Sequence, residues 1–161
     1  MTNEERAALE AIAQGELGRQ FGIEARHLDV AASMAGDLAR RGAHDRALRL
    51  YATIVLCDPQ HRAAQAGLAS GALEVGAPYI AIQAAAVLIA GAPDDPLGYL
   101  LSGKGCLLAQ EWPEAREDLQ RASDLAGARG DGNCQREADM LLAGLSAHAA
   151  QSTAAPAVQF G

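Results

Sequence analysis

Aromatic residues are scarce in this chain, 4% of 161, although half of its residues are hydrophobic. The apolar content is therefore largely Ala and Leu, which favours helices and argues against a core of strands built on aromatic and β-branched side chains. Positive charge is also short. Thirteen Lys plus Arg against 20 Asp plus Glu give a formal net charge of -7, which repels a phosphate backbone, so nucleic acid is not expected as a partner. The three cysteines, Cys57, Cys106 and Cys134, never stand in a C-x-x-C spacing, so neither a disulfide framework nor a zinc ribbon is indicated and a reducing compartment fits. No stretch approaches the ~20 apolar residues of a membrane span. The opening "MTNEERAALEAIAQGE" is broken by charges throughout. A cytoplasmic, soluble chain without direct membrane binding is the expectation. What is left is one all-α domain, long enough to bury a core without metals or disulfides.

The chain repeats itself. Ala47, Ala81 and Ala115 recur every 34 residues, and the small residues Ala35, Ala69 and Gly103 keep the same interval. That is the period of tetratricopeptide repeats, pairs of antiparallel helices with small residues at the helix crossings and a Pro after the second helix, the place held by Pro59 and Pro93. The register predicts a tetratricopeptide-repeat superhelix of three helix pairs over 28–61, 62–95 and 96–129. In "GAHDRALRLYATIVLCDP", Ala47, Leu50, Tyr51, Ile54 and Val55 form the apolar stripe of the first B helix, ended at Asp58-Pro59. In the third repeat Gln110 and Gly127 replace the flanking Gly and Pro, and Pro113 suits a first helical turn. Before the repeats, Thr2 and Glu5 read as a capping box opening a short helix to about Gln14, and 1–27 forms an N-terminal helix and linker. After them, 130–150 reads as an amphipathic helix capping the stack, and 151–161 as a flexible tail.

Motifs that suggest chemistry dissolve on inspection. Gly98-Tyr-Leu-Leu-Ser-Gly103-Lys104-Gly105 nearly spells a phosphate loop, but it ends on Gly instead of Ser or Thr and falls inside a helix, where the glycines serve packing. His27, His44 and His61 are spaced by 17, yet half a repeat alternates between opposite ends of the helix pair, so His44 is separated from the others by roughly 20 Å. They read as exposed turn histidines, with no metal site. Arg129-Gly130-Asp131 reads as a Gly-bearing turn. Ser70-Gly71 is no G-x-S-x-G, and no Cys stands near an activating partner in sequence. No catalytic residue, cofactor or metal is expected, and the chain does not read as an enzyme.

A stack of such helix pairs curves, with A-helix residues on its concave wall. The first repeat contributes Asp29, Ala32, Ser33, Gly36, Ala39 and Arg40, and the second Ala63, Ala66, Gly67, Ser70 and Leu73. The third contributes Leu97, Leu100, Leu101, Lys104, Leu107 and Leu108, of which Leu101 and Leu108 can instead face their B-helix partners. Binding of acidic heat-shock-protein C-termini needs cationic and amide side chains at positions held here by Ala32, Gly36, Gly67, Leu97 and Leu101, so that mode is not expected. A small-walled apolar trough suits an extended hydrophobic segment. Leu9, Ile12, Leu17, Phe21 and Ile23 have no repeat to cover them and are the expected homodimer contacts.

The lead-in Gly22-Ile23, "ALRLYATIVLCDP" with its Leu-Cys-Asp-Pro at 56–59, "AGLASGALEVG" and "SGKGCLLAQEWPEA" together resemble the class II chaperones of bacterial type III secretion systems. The likeness covers roughly residues 15–150. It implies a small cytoplasmic chaperone, dimeric through its N-terminal segment, that holds an extended stretch of a hydrophobic translocator protein and keeps it soluble before export. One departure is visible. Family members carry aromatics at positions matching Ala32, Gly36 and Ala39, so here the pockets are wider, the client's anchors are bulkier, or the client class differs. The alternative is a generic tetratricopeptide-repeat scaffold joining two soluble proteins.

Overall fold

A computed structural model describes Thr2, Arg6 and residues 22–154, with side chains to residue 151. Among the described residues from 22 onward seven helices follow in order: α1 (Ala25–Arg40), α2 (His44–Cys57), α3 (Arg62–Glu74), α4 (Pro78–Gly91), α5 (Pro96–Ala109), α6 (Trp112–Arg129) and α7 (Gly132–Ala154). Each packs on the next, and the odd-numbered helices also touch one another along the stack. This is the tetratricopeptide-repeat arrangement, three helix pairs followed by an unpaired helix. α1 begins ahead of residue 28, and α7 runs beyond residue 150 into the stretch read as a tail. The rest of that tail, the helix expected up to Gln14 and the capping partner Glu5 lie outside the described residues.

Local chemistry sets the helix boundaries. Pro78 and Pro96 open α4 and α5, and Pro113 lies in the first turn of α6, where a missing N–H costs nothing. Asp95 caps α5 by accepting from the Leu97 amide at 3.0 Å. The turns between paired helices place Gly42, Gly76 and Gln110 at φ 77°, 74° and 63°. These positions are one repeat apart, and the left-handed conformation that glycine adopts freely is imposed on Gln110 in the third. Gly130 (φ 72°) closes α6, and the Asp131 carboxylate accepts from the Cys134 amide at 3.1 Å to start α7. The Arg129-Gly130-Asp131 tripeptide is thus a helix–helix turn.

Small residues occupy the crossings. Ala35, Ala69, Ala81 and Ala115 are fully buried, as Ala47 nearly is. Gly103 lies so close to α6 that a Cβ there would stand 2.7 Å from the Leu119 side chain, and one on Gly105 would stand 2.7 Å from Ile82. The near-phosphate-loop glycines are therefore contact points between helices. The core falls into three clusters: one around Ala35, Tyr51 and Ile54, one around Ala85, Leu88 and Leu101, and one around Leu119, Ala122 and Leu145. Burying side chains such as Ile54 and Leu119 contributes about 1.5–3 kcal/mol each. Among the described residues no helix is long and apolar enough to cross a membrane.

Candidate functional site

The A helices α1, α3 and α5 stand side by side, and two clefts open between them. One, of about 520 Å³, is lined by Ala39, Arg40, Ala63, Ala66, Gly67, Ser70, Glu74 and Leu97, with His44, Ala47 and Tyr51 reaching in from α2. The other, of about 590 Å³, is lined by Ala25, Asp29, Asp58, Gln60, His61 and Arg62, and shares Ala63, Ala66 and Leu97 with the first. Those three shared residues join the clefts into one trough with alanine walls. Charges of both signs stand along it, Arg40 and Glu74 in one cleft and Asp29, Asp58 and Arg62 in the other. The Arg40 guanidinium is paired with Asp37.

Of the expected groove residues, Asp29 lines the second cleft, and seven, Ala39, Arg40, Ala63, Ala66, Gly67, Ser70 and Leu97, come together in the first. Gly36 stands at its edge, within 3.5 Å of the Tyr51 hydroxyl and the Arg40 guanidinium measured from where its Cβ would be. Others are placed elsewhere. Ala32 and Leu100 are buried in the first and last core clusters and line neither cleft. Leu73 packs, half-buried, against the middle cluster, and Leu107 against the last. Lys104 donates to Glu137 of α7 at 2.9 Å, because α7 docks where a fourth A helix would lie. Leu101 is core, whereas Leu108 is exposed. Ile23 packs on the first cluster. The remaining expected dimer contacts, Leu9, Ile12, Leu17 and Phe21, lie outside the described residues.

Tyr51 belongs to the B-helix stripe, yet it floors the first cleft. Its ring lies under the α3 backbone: a Cβ on Gly67 would stand 2.1 Å from the ring carbon bearing the hydroxyl. Gly67 is required for that contact. Burial pushes the phenol above its ordinary pKa, and the nearby Arg40 pulls the other way. The sequence signal was a glycine inside a helix, where alanine would otherwise serve better.

His61 overturns the expectation of exposed turn histidines, since only 9% of its side chain is exposed. Its Nδ1 accepts from the Ala64 amide at 3.2 Å, capping α3, and its Nε2 faces Asp29 Oδ1 at 3.2 Å, tying α3 to α1. His27 is also spent locally, accepting from the Glu24 amide at 3.0 Å. Among the described residues no group of three His, Cys, Asp or Glu could hold a metal ion. Cys106 is buried, and its thiol is pushed up to about 11, first by burial and then by the Asp118 and Glu111 charges. It stays protonated at neutral pH and offers no nucleophile.

No protein-family model matches the sequence, and no curated protein matches it. Solved structures do match the fold. A T3SS complex from Aeromonas hydrophila superimposes with a TM-score of 0.77 at 18% identity, over 88% of this chain and 97% of that one. The Yersinia enterocolitica type III secretion chaperone SycD, in complex with a peptide of the translocator YopD, gives 0.70 at 17% identity over 78% and 97%. The first TPR of Spaghetti (RPAP3), bound to an HSP90 peptide, gives 0.70 at 19% identity over 79% and 96%. The chain thus has the all-α tetratricopeptide-repeat fold that type III secretion translocator chaperones share.

Proposed function

We propose that the chain is a cytoplasmic chaperone of a type III secretion system, holding an extended hydrophobic segment of a translocator protein along α1, α3 and α5 and keeping it soluble before export. The observation that carries this reading is the continuous trough through Ala63, Ala66 and Leu97, whose small apolar walls leave room for side chains that none of the described residues supplies. Its support from outside is the shared fold with SycD and with PcrH, the latter solved in complex with the chaperone binding region of PopD. The trough contributes binding, and nothing in it resembles a catalytic constellation. Leu97 is the residue to challenge. It is half-buried, common to both clefts and packed on the middle core cluster, so Leu97→Asp places a carboxylate in the trough with a partial loss of packing that thermal unfolding measures, whereas Asp at buried Leu100 would attack the core outright. Co-expression with neighbouring open reading frames, followed by mass spectrometry of what stays bound, should recover a hydrophobic secreted protein with the natural chain and lose it with Leu97→Asp. Equal capture by both would refute the groove.

A homodimer formed through the N-terminal segment belongs to the same proposal, SycD itself having been solved in an alternative dimer. Light scattering tests it: deletion of residues 1–21 should halve the mass in solution. The fold shared with RPAP3 favours a second reading, a scaffold joining two soluble proteins. Recovery of soluble partners alone, from a gene neighbourhood without secretion-apparatus genes, would decide for it. The acidic-peptide mode of binding finds no cation at Ala32, Gly36, Gly67, Leu97 or Leu101 in either reading.

A further inference from the structure

We propose that Tyr51, and no residue of the A helices, sets what the groove accepts at its first cleft, and that this cleft takes an aromatic side chain of the bound segment. The inference rests on the groove reading above. Ala39, Ala63, Ala66 and Gly67 give the cleft a wall of methyl groups and bare backbone, completed by Arg40, His44, Glu74 and Leu97, around about 520 Å³ above the Tyr51 ring. A branched aliphatic anchor leaves part of that space without partner atoms, whereas a ring fills more of it and meets the Tyr51 ring in a tilted or offset pair.

The floor cannot retreat. The Tyr51 ring lies where a Cβ on Gly67 would meet three of its carbons at 2.1, 2.3 and 2.5 Å, so it is wedged against the α3 backbone. A site held by packing in this way is preorganised before the ligand arrives. Arg40 completes the arrangement. Its guanidinium, held by Asp37, and the Tyr51 hydroxyl converge on Gly36 at the cleft's edge, which fixes one side of the cleft beside the ring.

The test is an NMR titration of the ¹⁵N-labelled full chain with N-acetyl-phenylalaninamide and, separately, N-acetyl-leucinamide. The phenylalanine amide should move the Ala66 and Gly67 amide signals at concentrations about 2- to 10-fold lower than the leucine amide, the increment an aromatic pair adds beyond buried area. Tyr51→Leu should erase the preference. Because that change also touches the core, a second variant is needed: Ala63→Phe, on the exposed wall, should fill the cleft and abolish both responses while leaving the melting temperature in place. Equal affinities, signals moving elsewhere, no response at all, or a response surviving Ala63→Phe would each overturn the proposal. Capture of a translocator by a protein that fails this titration would sink the aromatic cleft alone. A clear aromatic preference with no translocator captured would sink the chaperone reading.

Discussion

Gly67→Ala is the sharpest perturbation that the structure offers. In an unconstrained helix interior the change stabilises by about 1 kcal/mol, because alanine surrenders less backbone entropy. At Gly67 the new methyl carbon would stand 2.1–2.5 Å from three carbons of the Tyr51 ring, far inside contact distance. The ring is buried beneath α3 with no flexible end to yield, so either it rotates out of the cleft floor or α2 and α3 separate. Overpacking of this kind costs about 1–3 kcal/mol, and the severity of the contact places it toward the upper end. After the propensity gain, a net loss of about 1–2 kcal/mol remains, roughly 3–6 °C in Tm for a chain of this length. Urea and thermal unfolding followed by circular dichroism measure it. Gly144→Ala is the internal control: it lies within α7 with nothing within 4 Å of its Cβ position, and should gain up to about 1 kcal/mol. In a Tyr51→Leu background Gly67→Ala should change sign and become stabilising, a coupling of about 2 kcal/mol between the two sites. If Gly67→Ala stabilises the natural chain as much as Gly144→Ala does, the ring is not wedged under α3 and the account of the cleft floor is wrong.

Gln110→Gly should stabilise by about 0.5–1 kcal/mol in urea unfolding, because it restores at φ 63° the residue that Gly42 and Gly76 supply in the other turns; a loss of stability would mean that the Gln110 side chain contributes more than its strain costs. Asp95 caps α5, pairs with Arg62 and lies 3.9 Å from Arg129, so Asp95→Ala should cost about 1–2 kcal/mol while Asp95→Asn, which keeps the cap, should cost less; equal losses would assign the effect to charge alone. Burial raises the Asp118 pKa against the opposing Ser102 hydrogen bond, so this carboxyl favours the fold when protonated, and that contribution is lost as pH rises through its folded-state pKa. Asp118→Asn should therefore raise Tm at neutral pH, with an advantage that fades below the carboxylate range; an advantage independent of pH would contradict the burial argument.

The repeat was legible because its cause is local and recurrent. Two helices crossing closely exclude anything larger than Ala at Ala47, Ala81 and Ala115, and that demand returns with every hairpin, so it prints a period on the sequence. The turns print another, through the left-handed residues at 42, 76 and 110. The trough was legible in part, since residues such as Ala63, Ala66 and Leu97 follow from which side of each A helix faces inward. What escaped depends on reach across helices. Tyr51 fits the B-helix stripe by spacing, and only the gap at Gly67 lets its ring become the groove floor. Leu100 and Leu97 sit almost a turn apart on one helix, yet one is buried in the core and the other lines the trough, a difference fixed by how α6 and α7 pack. His61 read as a turn residue because a histidine acting as a helix cap while touching a carboxylate 32 positions earlier leaves no periodic trace.

Among the described residues the apolar interior is divided among three seams, each sealed by neighbouring helices, with Leu68 packed against the first two. A molecule built this way has no single keystone whose loss brings everything down. Its ends can melt while its middle stays intact, so amide deuteration should proceed in steps along the array. A client lying across the seams would stitch them together and turn that stepwise loosening into one cooperative event.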